Sequence, residues 1–250
     1  MPLSDPTFDY TPDRVYTISE FERFNNWLKS QDFLVDGTPV NHFERDAKGR
    51  LIPMPQTTLD KEPVVTEIAR QVSIWNIHTQ QNGVVTTSQG GFRFGEAIRA
   101  PDVAFMPKEI YRGLTQQQLS TFQGPPICPT FAVEVENFQT GNNEAILTAK
   151  FKDSYFPAGL KLGWMVDPIN RKILSFRRDV DGVVQQYEHS WFDNNGEATV
   201  VNGQEVLPGF ELELWKIDEV TSQLVCFVHL SVNTNPLTYR LGLFGLRRIG

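Results

Sequence analysis

Two acidic residues stand where strands would present them. Asp102 follows Pro101 at the head of the extended run PDVAFM, and Glu134 lies in TFAVEVE, where Phe131, Val133 and Val135 alternate with Ala132, Glu134 and Glu136. That alternation puts Glu134 on the water-facing side of its strand. If the two strands are neighbours, the carboxylates converge on one hard cation, and Mg²⁺ takes oxygen ligands in octahedral array at about 2.0–2.1 Å. Such an ion activates water and neutralises charge on a phosphoryl transition state. A lysine nearby would position the water or take its proton, and would offset the developing negative charge.

Other metal chemistries are poorly served. His42, His78, His189 and His229 show neither HExxH nor HxH spacing, and Cys128 and Cys226 stand far apart outside any CxxC pattern. This argues against a histidine or thiolate metal centre and against a disulfide framework. Both cysteines are expected as buried thiols. The formal net charge of −7 provides no broad basic face to displace counterions from a nucleic-acid backbone, so any such contact must be local or metal-assisted. No stretch reaches the ~18 apolar residues that cross a bilayer, and MPLSDPTFDYTPDRVYTISEF has neither a basic leader nor an apolar signal core. A soluble, intracellular (cytoplasmic) protein with no membrane partner is expected.

The elements that must position the acids follow from pattern. Residues 1–16 read as an extended N-terminal arm. TISE is a capping box that starts a helix at Thr17, with Phe21, Phe24, Trp27 and Leu28 on its apolar stripe. HFERDAKGRLIPM reads as a hairpin turning at DAKG. A long helix is expected from Asp60 to about Gln81, with Pro63 in its first turn and Val64, Ile68, Val72 and Trp75 on one side. VVTTS, FRF and IRAPDVAFM suggest a strand pair or meander, and a short helix is capped at Thr115. After TFAVEVE, residues 144–158 fit a helix with Leu147, Phe151, Tyr155 and Ala158 in one stripe, ended by Gly159. LGWMVDP, RKILSFRRD, DGVVQQYEHS and FELELWKI continue as strands. Segment 218–250 is an unassigned C-terminal extension. Removing residues 219–250 is expected to leave a soluble domain; the alternative is that LVCFVHLSV forms one further strand that pairs with the sheet's edge or with a second copy in a homodimer.

From Thr17 to about Ile217 the chain resembles the Uma-type restriction endonuclease family of the PD-(D/E)XK nuclease superfamily. The resemblance is carried by YTISEF, FERDAKGRLIPMP, TEIARQVSIWN, GGFRFGEAIRAPDVAFMP, PTFAVEVEN, YFPAGLKLGWMVDP and VLPGFELEL, in order and at similar spacing. It implies an α/β fold, a restriction-endonuclease-like core with a mixed β-sheet flanked by helices, here with additional C-terminal β structure. The domain spans 17–217. The resemblance also implies Asp102 and Glu134 as metal ligands for Mg²⁺ or Mn²⁺ and DNA as partner. Glu67, in TEIA, matches a helix glutamate that joins the metal shell in such nucleases. Glu44, in FERDAKG, matches a recurrent family glutamate to which spacing assigns no chemical role.

Two departures bear on activity. The superfamily places a lysine two residues after the acidic strand residue, and this chain has Glu136 there. In the family the lysine sits on the following helix, four residues before the tyrosine matched by Tyr155, but that position is Phe151. Lys150 and Lys152 flank it, each about 100° from the Leu147, Phe151, Tyr155 stripe, so geometry does not choose between them. The pattern Leu147-x-x-Lys150 favours Lys150. Arg93, Arg99, Lys108, Arg112 and Lys161 are further cations that could meet phosphates locally, whereas Arg171, Lys172, Arg177 and Arg178 border a hairpin. The sequence thus points to a Mg²⁺-dependent endonuclease hydrolysing phosphodiester bonds in DNA. The alternative is a catalytically degenerate nuclease-fold module that binds nucleic acid or protein.

Overall fold

The computed structural model describes residues 10–30, 32–55 and 58–221. LVCFVHLSV, Cys226 and the rest of the extension beyond Thr221 lie outside the described residues. Helix α1 (Ile18–Leu28) begins at the capping box: the Thr17 hydroxyl accepts from Glu20 N–H, and the Glu20 carboxylate accepts from Thr17 N–H. Strands β1 (Leu34–Val35), β2 (Thr38–Arg45) and β3 (Leu51–Pro55) follow, and Gly49 takes φ +88° in the β2–β3 turn. The expected N-terminal arm is seated from Tyr10 onward. Tyr16 is buried in a cluster with Phe21, Phe24 and Phe43, and Val15 bridges Arg50. Helix α2 (Glu62–His78) carries Pro63 in its first turn and buries Val64, Ile68, Val72 and Trp75.

The next stretch is not one meander. β4 (Val84–Thr87) does not pair with β5 (Phe92–Phe94). Instead β5 pairs with β6 (Ala97–Arg99), which joins β2 in a five-stranded sheet, while β4 pairs with β7 (Val103–Met106) in a six-stranded one. IRAPDVAFM therefore changes sheets at Ala100-Pro101-Asp102. Pro101 has no N–H for a ladder and a fixed φ, which suits a point where pairing must stop. Two short helices, α3 (Lys108–Arg112) and α4 (Gln116–Ser120), the second capped by Thr115, lead into β8 (Phe131–Val135).

Helix α5 (Asn143–Lys150) and one π-helical turn (Phe151–Tyr155) connect β8 to β9 (Leu162–Asp167), which pairs with it in parallel. β10 (Lys172–Arg178) and β11 (Val184–Ser190) complete the large sheet in the order β11-β10-β9-β8-β7-β4. Its two faces separate by side-chain parity. Val103, Phe105, Phe131, Val133, Val135, Trp164 and Val166 pack with α2, whereas Ala104, Met106, Ala132 and Met165 pack with Phe151, Tyr155 and Phe156. β8 is buried on both sides. Glu134 therefore faces a covered interior rather than open water, which corrects the reading from alternation.

FELELWKI is not the expected strand. Only β13 (Glu211–Leu212) pairs, with β12 (Val201–Asn202), and a helical run over 214–221 follows it. That run spans residues 217 and 218, between which the extension was expected to start.

Candidate metal and catalytic site

The register that pairs Val103 with Val133 and Ala104 with Ala132 places Asp102, one step further out, beside the Glu134 end of β8. Asp102 Oδ2 accepts the Val135 N–H at 2.7 Å. Both acids line a cavity of about 470 Å³, together with Thr38, Met54, Lys61, Glu136 and Lys150.

Lys150 arrives from above this face. Its Nζ lies 3.0 Å from Glu134 Oε1 and 3.0 Å from Glu44 Oε1. Glu44 comes from β2 in the smaller sheet, where Arg99 donates to it at 2.9 Å and Ala100 N–H at 2.8 Å. Tyr155 donates its hydroxyl to Glu134 Oε1 at 2.5 Å. All five side chains except Asp102 are nine-tenths or more buried.

The electrostatics follow from this packing. Burial and the neighbouring Glu134 charge push the Asp102 carboxyl up to about 7. Burial, aided by the Glu44 charge, also raises Glu134 despite Lys150 beside it. For Glu44 burial works the same way, but the Lys150 and Arg99 charges and the Ala100 N–H outweigh it and hold the carboxyl below its ordinary range. Lys150 loses to burial and gains more from Glu134 and Glu44, so it stays an ammonium. Burial and the two carboxylates raise Tyr155 well above its ordinary value, keeping it a donor.

The π-turn explains how Lys150 reaches the acids although Phe151 occupies the expected position. Phe156 N–H donates to Phe151 O at 3.0 Å, closing a turn that holds one residue more than an α-helical turn. In a regular α-helix residues five apart point about 140° away from each other. The wide turn brings Lys150 and Tyr155 back to one atom of Glu134. The extra residue is Phe151, whose ring stacks on Phe176 with centroids 4.9 Å apart and planes 2° apart.

Gly163 makes room for that ring, since a Cβ there would sit 2.2 Å from Phe151 Cε1. Gly163→Ala should therefore overpack the interior by roughly 1–3 kcal/mol. For a domain of this size that lowers the melting midpoint by about 2–12 °C. An unchanged midpoint in a thermal melt would show that Phe151 is not locked in the turn.

Other sequence candidates are placed elsewhere. Glu67 lies on α2, against the opposite face of the large sheet, where Arg70 grips it with two hydrogen bonds of 2.7 Å and Gln71 with one of 2.9 Å. The Arg70 contacts hold its carboxyl below the ordinary range despite burial. The structure does not bring it to Asp102 and Glu134. Lys152 is exposed and borders a separate shallow groove with Glu144, Thr148 and Asp153. Arg99 is not a surface cation but the buried partner of Glu44, and Arg93 donates to the carbonyls of Gly95 and Gly124. Cys128 is a free, partly buried thiol.

Among the described residues no group of three His, Cys, Asp or Glu side chains is gathered as a metal site. A divalent cation would therefore rest on Asp102 and Glu134, with water and substrate oxygen completing its shell, as Mg²⁺ commonly does. The donor set fits. It is all oxygen, and Asp102 accepts one hydrogen bond while forming no ion pair among the described residues.

No helix among the described residues is long and apolar enough to cross a membrane. None of the curated proteins matches the chain significantly. A crystal structure titled as a putative nuclease belonging to DUF820 from Anabaena variabilis ATCC 29413 superimposes with a TM-score of 0.57 at 13% identity. The match covers 82% of this chain and 99% of that one, and it shows a shared fold. Residues 11–215 match the family described as "Putative restriction endonuclease" (Uma2). That match spans most of the chain, Asp102, Glu134 and Lys150 included, and the chain belongs to the Uma2 family.

Proposed function

We propose that this protein is a metal-dependent endonuclease that hydrolyses phosphodiester bonds in DNA, with Asp102 and Glu134 holding Mg²⁺ or Mn²⁺. The observation that carries the reading is the meeting of Glu134 with the buried Lys150 ammonium, 3.0 Å away, in a cavity shared with Asp102. When bound, the cation supplies activation of water and neutralisation of charge on the phosphate. The chain's own groups do the rest. Tyr155 and Lys150 fix the Glu134 carboxylate from two sides, so it is orientated before substrate arrives. Because Lys150 remains protonated, it orients water and offsets developing negative charge rather than taking a proton. Glu44, itself held by Arg99, keeps Lys150 in place from behind.

The degenerate reading, in which the fold binds without cutting, rests on Glu136 at the position where the superfamily carries lysine. It no longer draws on Phe151, because the π-turn supplies Lys150 from the neighbouring position. Purified protein incubated with supercoiled plasmid and Mn²⁺ should nick or cut it, and EDTA should stop the reaction. Cutting that persists in EDTA would remove the metal from the reading, and no cutting with Mn²⁺ or Mg²⁺ would leave binding without catalysis as the better one.

A further inference from the structure

Glu136 carries β8's pairing one residue beyond Val135, donating its N–H to Val166 O at 3.0 Å. Its carboxylate accepts from Asn137 N–H at 2.9 Å and takes the Lys61 ammonium at 2.5 Å. Lys61 immediately precedes α2, so its stem is anchored by the longest helix while its tip projects over the cavity mouth. The two cations lining this cavity differ sharply. Lys150 is wedged between two buried carboxylates and cannot leave without taking an ion-pair partner from each. Lys61 has one carboxylate partner, and the two side chains are 26% and 25% exposed. An ion pair open to water to that degree contributes little and exchanges readily.

A DNA strand entering the site brings more phosphates than the one at Asp102 and Glu134. With a net charge of −7, the chain has no excess of cations to offer them, so one lining the cavity matters more than it would on a basic surface. We propose that Lys61 is a positioning residue for the substrate. Its ammonium leaves Glu136 and takes a non-bridging oxygen of a phosphate beside the scissile one. Glu136 is the internal competitor for that ammonium and sets how tightly substrate is held. This rests on the nuclease reading and adds to it a residue outside the metal and lysine set.

The test is fluorescence anisotropy of a short labelled DNA duplex across a salt series, with Ca²⁺ replacing Mn²⁺ to suppress cutting, followed by steady-state cutting with Mn²⁺. Glu136→Gln frees Lys61, so it should bind several-fold tighter, with a salt dependence of log Kd steeper by about one. Lys61→Gln should weaken binding with a slope shallower by about one. Its loss in cutting should fall on KM more than on kcat, and Lys61→Arg should restore much of the binding. The double variant should behave like Lys61→Gln alone.

If instead Glu136→Gln binds no better than wild type, or the double variant returns to wild-type affinity, the pair is only a mutual neutraliser and the inference is overturned. Wild type that cuts DNA while neither slope moves also overturns it, and leaves the nuclease reading intact. Wild type that neither binds nor cuts DNA removes both.

Discussion

Lys150→Ala should lower turnover on DNA by about 10²–10⁴, the range typical for loss of a positioned proton-transfer or charge-stabilising group, while Lys152→Ala stays close to wild type. The asymmetry comes from the π-turn, which aims Lys150 at Glu134 and leaves Lys152 exposed beside a different groove. Removing Lys150 also takes an ion-pair partner from buried Glu134 and Glu44, which keep Tyr155 and Arg99, and breaking such a buried pair costs up to about 3–5 kcal/mol. Activity must therefore be read below the variant's melting midpoint, established by circular dichroism. Lys150→Arg keeps the charge and serves as the folded control. Equal losses in the two alanine variants, or a larger loss for Lys152→Ala, would remove Lys150 from its assigned role.

Asp102→Asn and Glu134→Gln should each reduce cutting by orders of magnitude, because the cation proposed to rest on them would supply both water activation and charge neutralisation. The same variants can be examined without substrate. A cation that binds only the folded state adds RT ln(1 + [L]/Kd), about 2.7 kcal/mol at a hundredfold excess over Kd. For a domain of this size saturating Mn²⁺ should raise the wild-type midpoint by about 5–10 °C. Asp102→Asn removes a buried charge that repels Glu134, so without metal it should melt at or above wild type and respond much less to Mn²⁺. A wild-type midpoint that ignores Mn²⁺, or an Asp102→Asn shift as large as wild type's, would take Asp102 out of the metal site.

The parts of this molecule that could be read from the sequence are those governed by local rules. The Thr17 capping box, the Gly49 turn and the apolar stripe of α2 depend on neighbours within one or two turns. What escaped was decided at a distance. The switch of sheets at Pro101 left IRAPDVAFM looking like one extended run, because both halves are strand. FELELWKI alternates well enough for a strand, yet only two of its residues find a partner.

The candidate site shows the same division. Asp102, Glu134 and Lys150 were singled out, but helical geometry did not distinguish Lys150 from Lys152 and only the family pattern Leu147-x-x-Lys150 favoured it, since a π-turn has no signature in the residues that form it. Its trace was indirect: the lysine stood five residues from Tyr155 instead of four, with Gly163 waiting on a later strand to admit the displaced Phe151. Glu44 drew attention without a role because its partners, Arg99 and Lys150, lie 55 and 106 residues away. Glu67 matched a family position, but α2 packs on the wrong face of the sheet to deliver it.

The change of sheets at Pro101 also has a bearing on how the molecule assembles. Glu44 and Arg99 belong to the smaller sheet, and Glu134 and the segment carrying Lys150 belong to the larger one. The lysine is thus a stitch across a seam, and the charge constellation exists only in molecules where both halves have folded and docked. Amide hydrogen exchange would register this as a threshold: any excursion that opens the smaller sheet, even with the larger one intact, disassembles the site along with it. The charge constellation should therefore form late in folding and be lost early in unfolding.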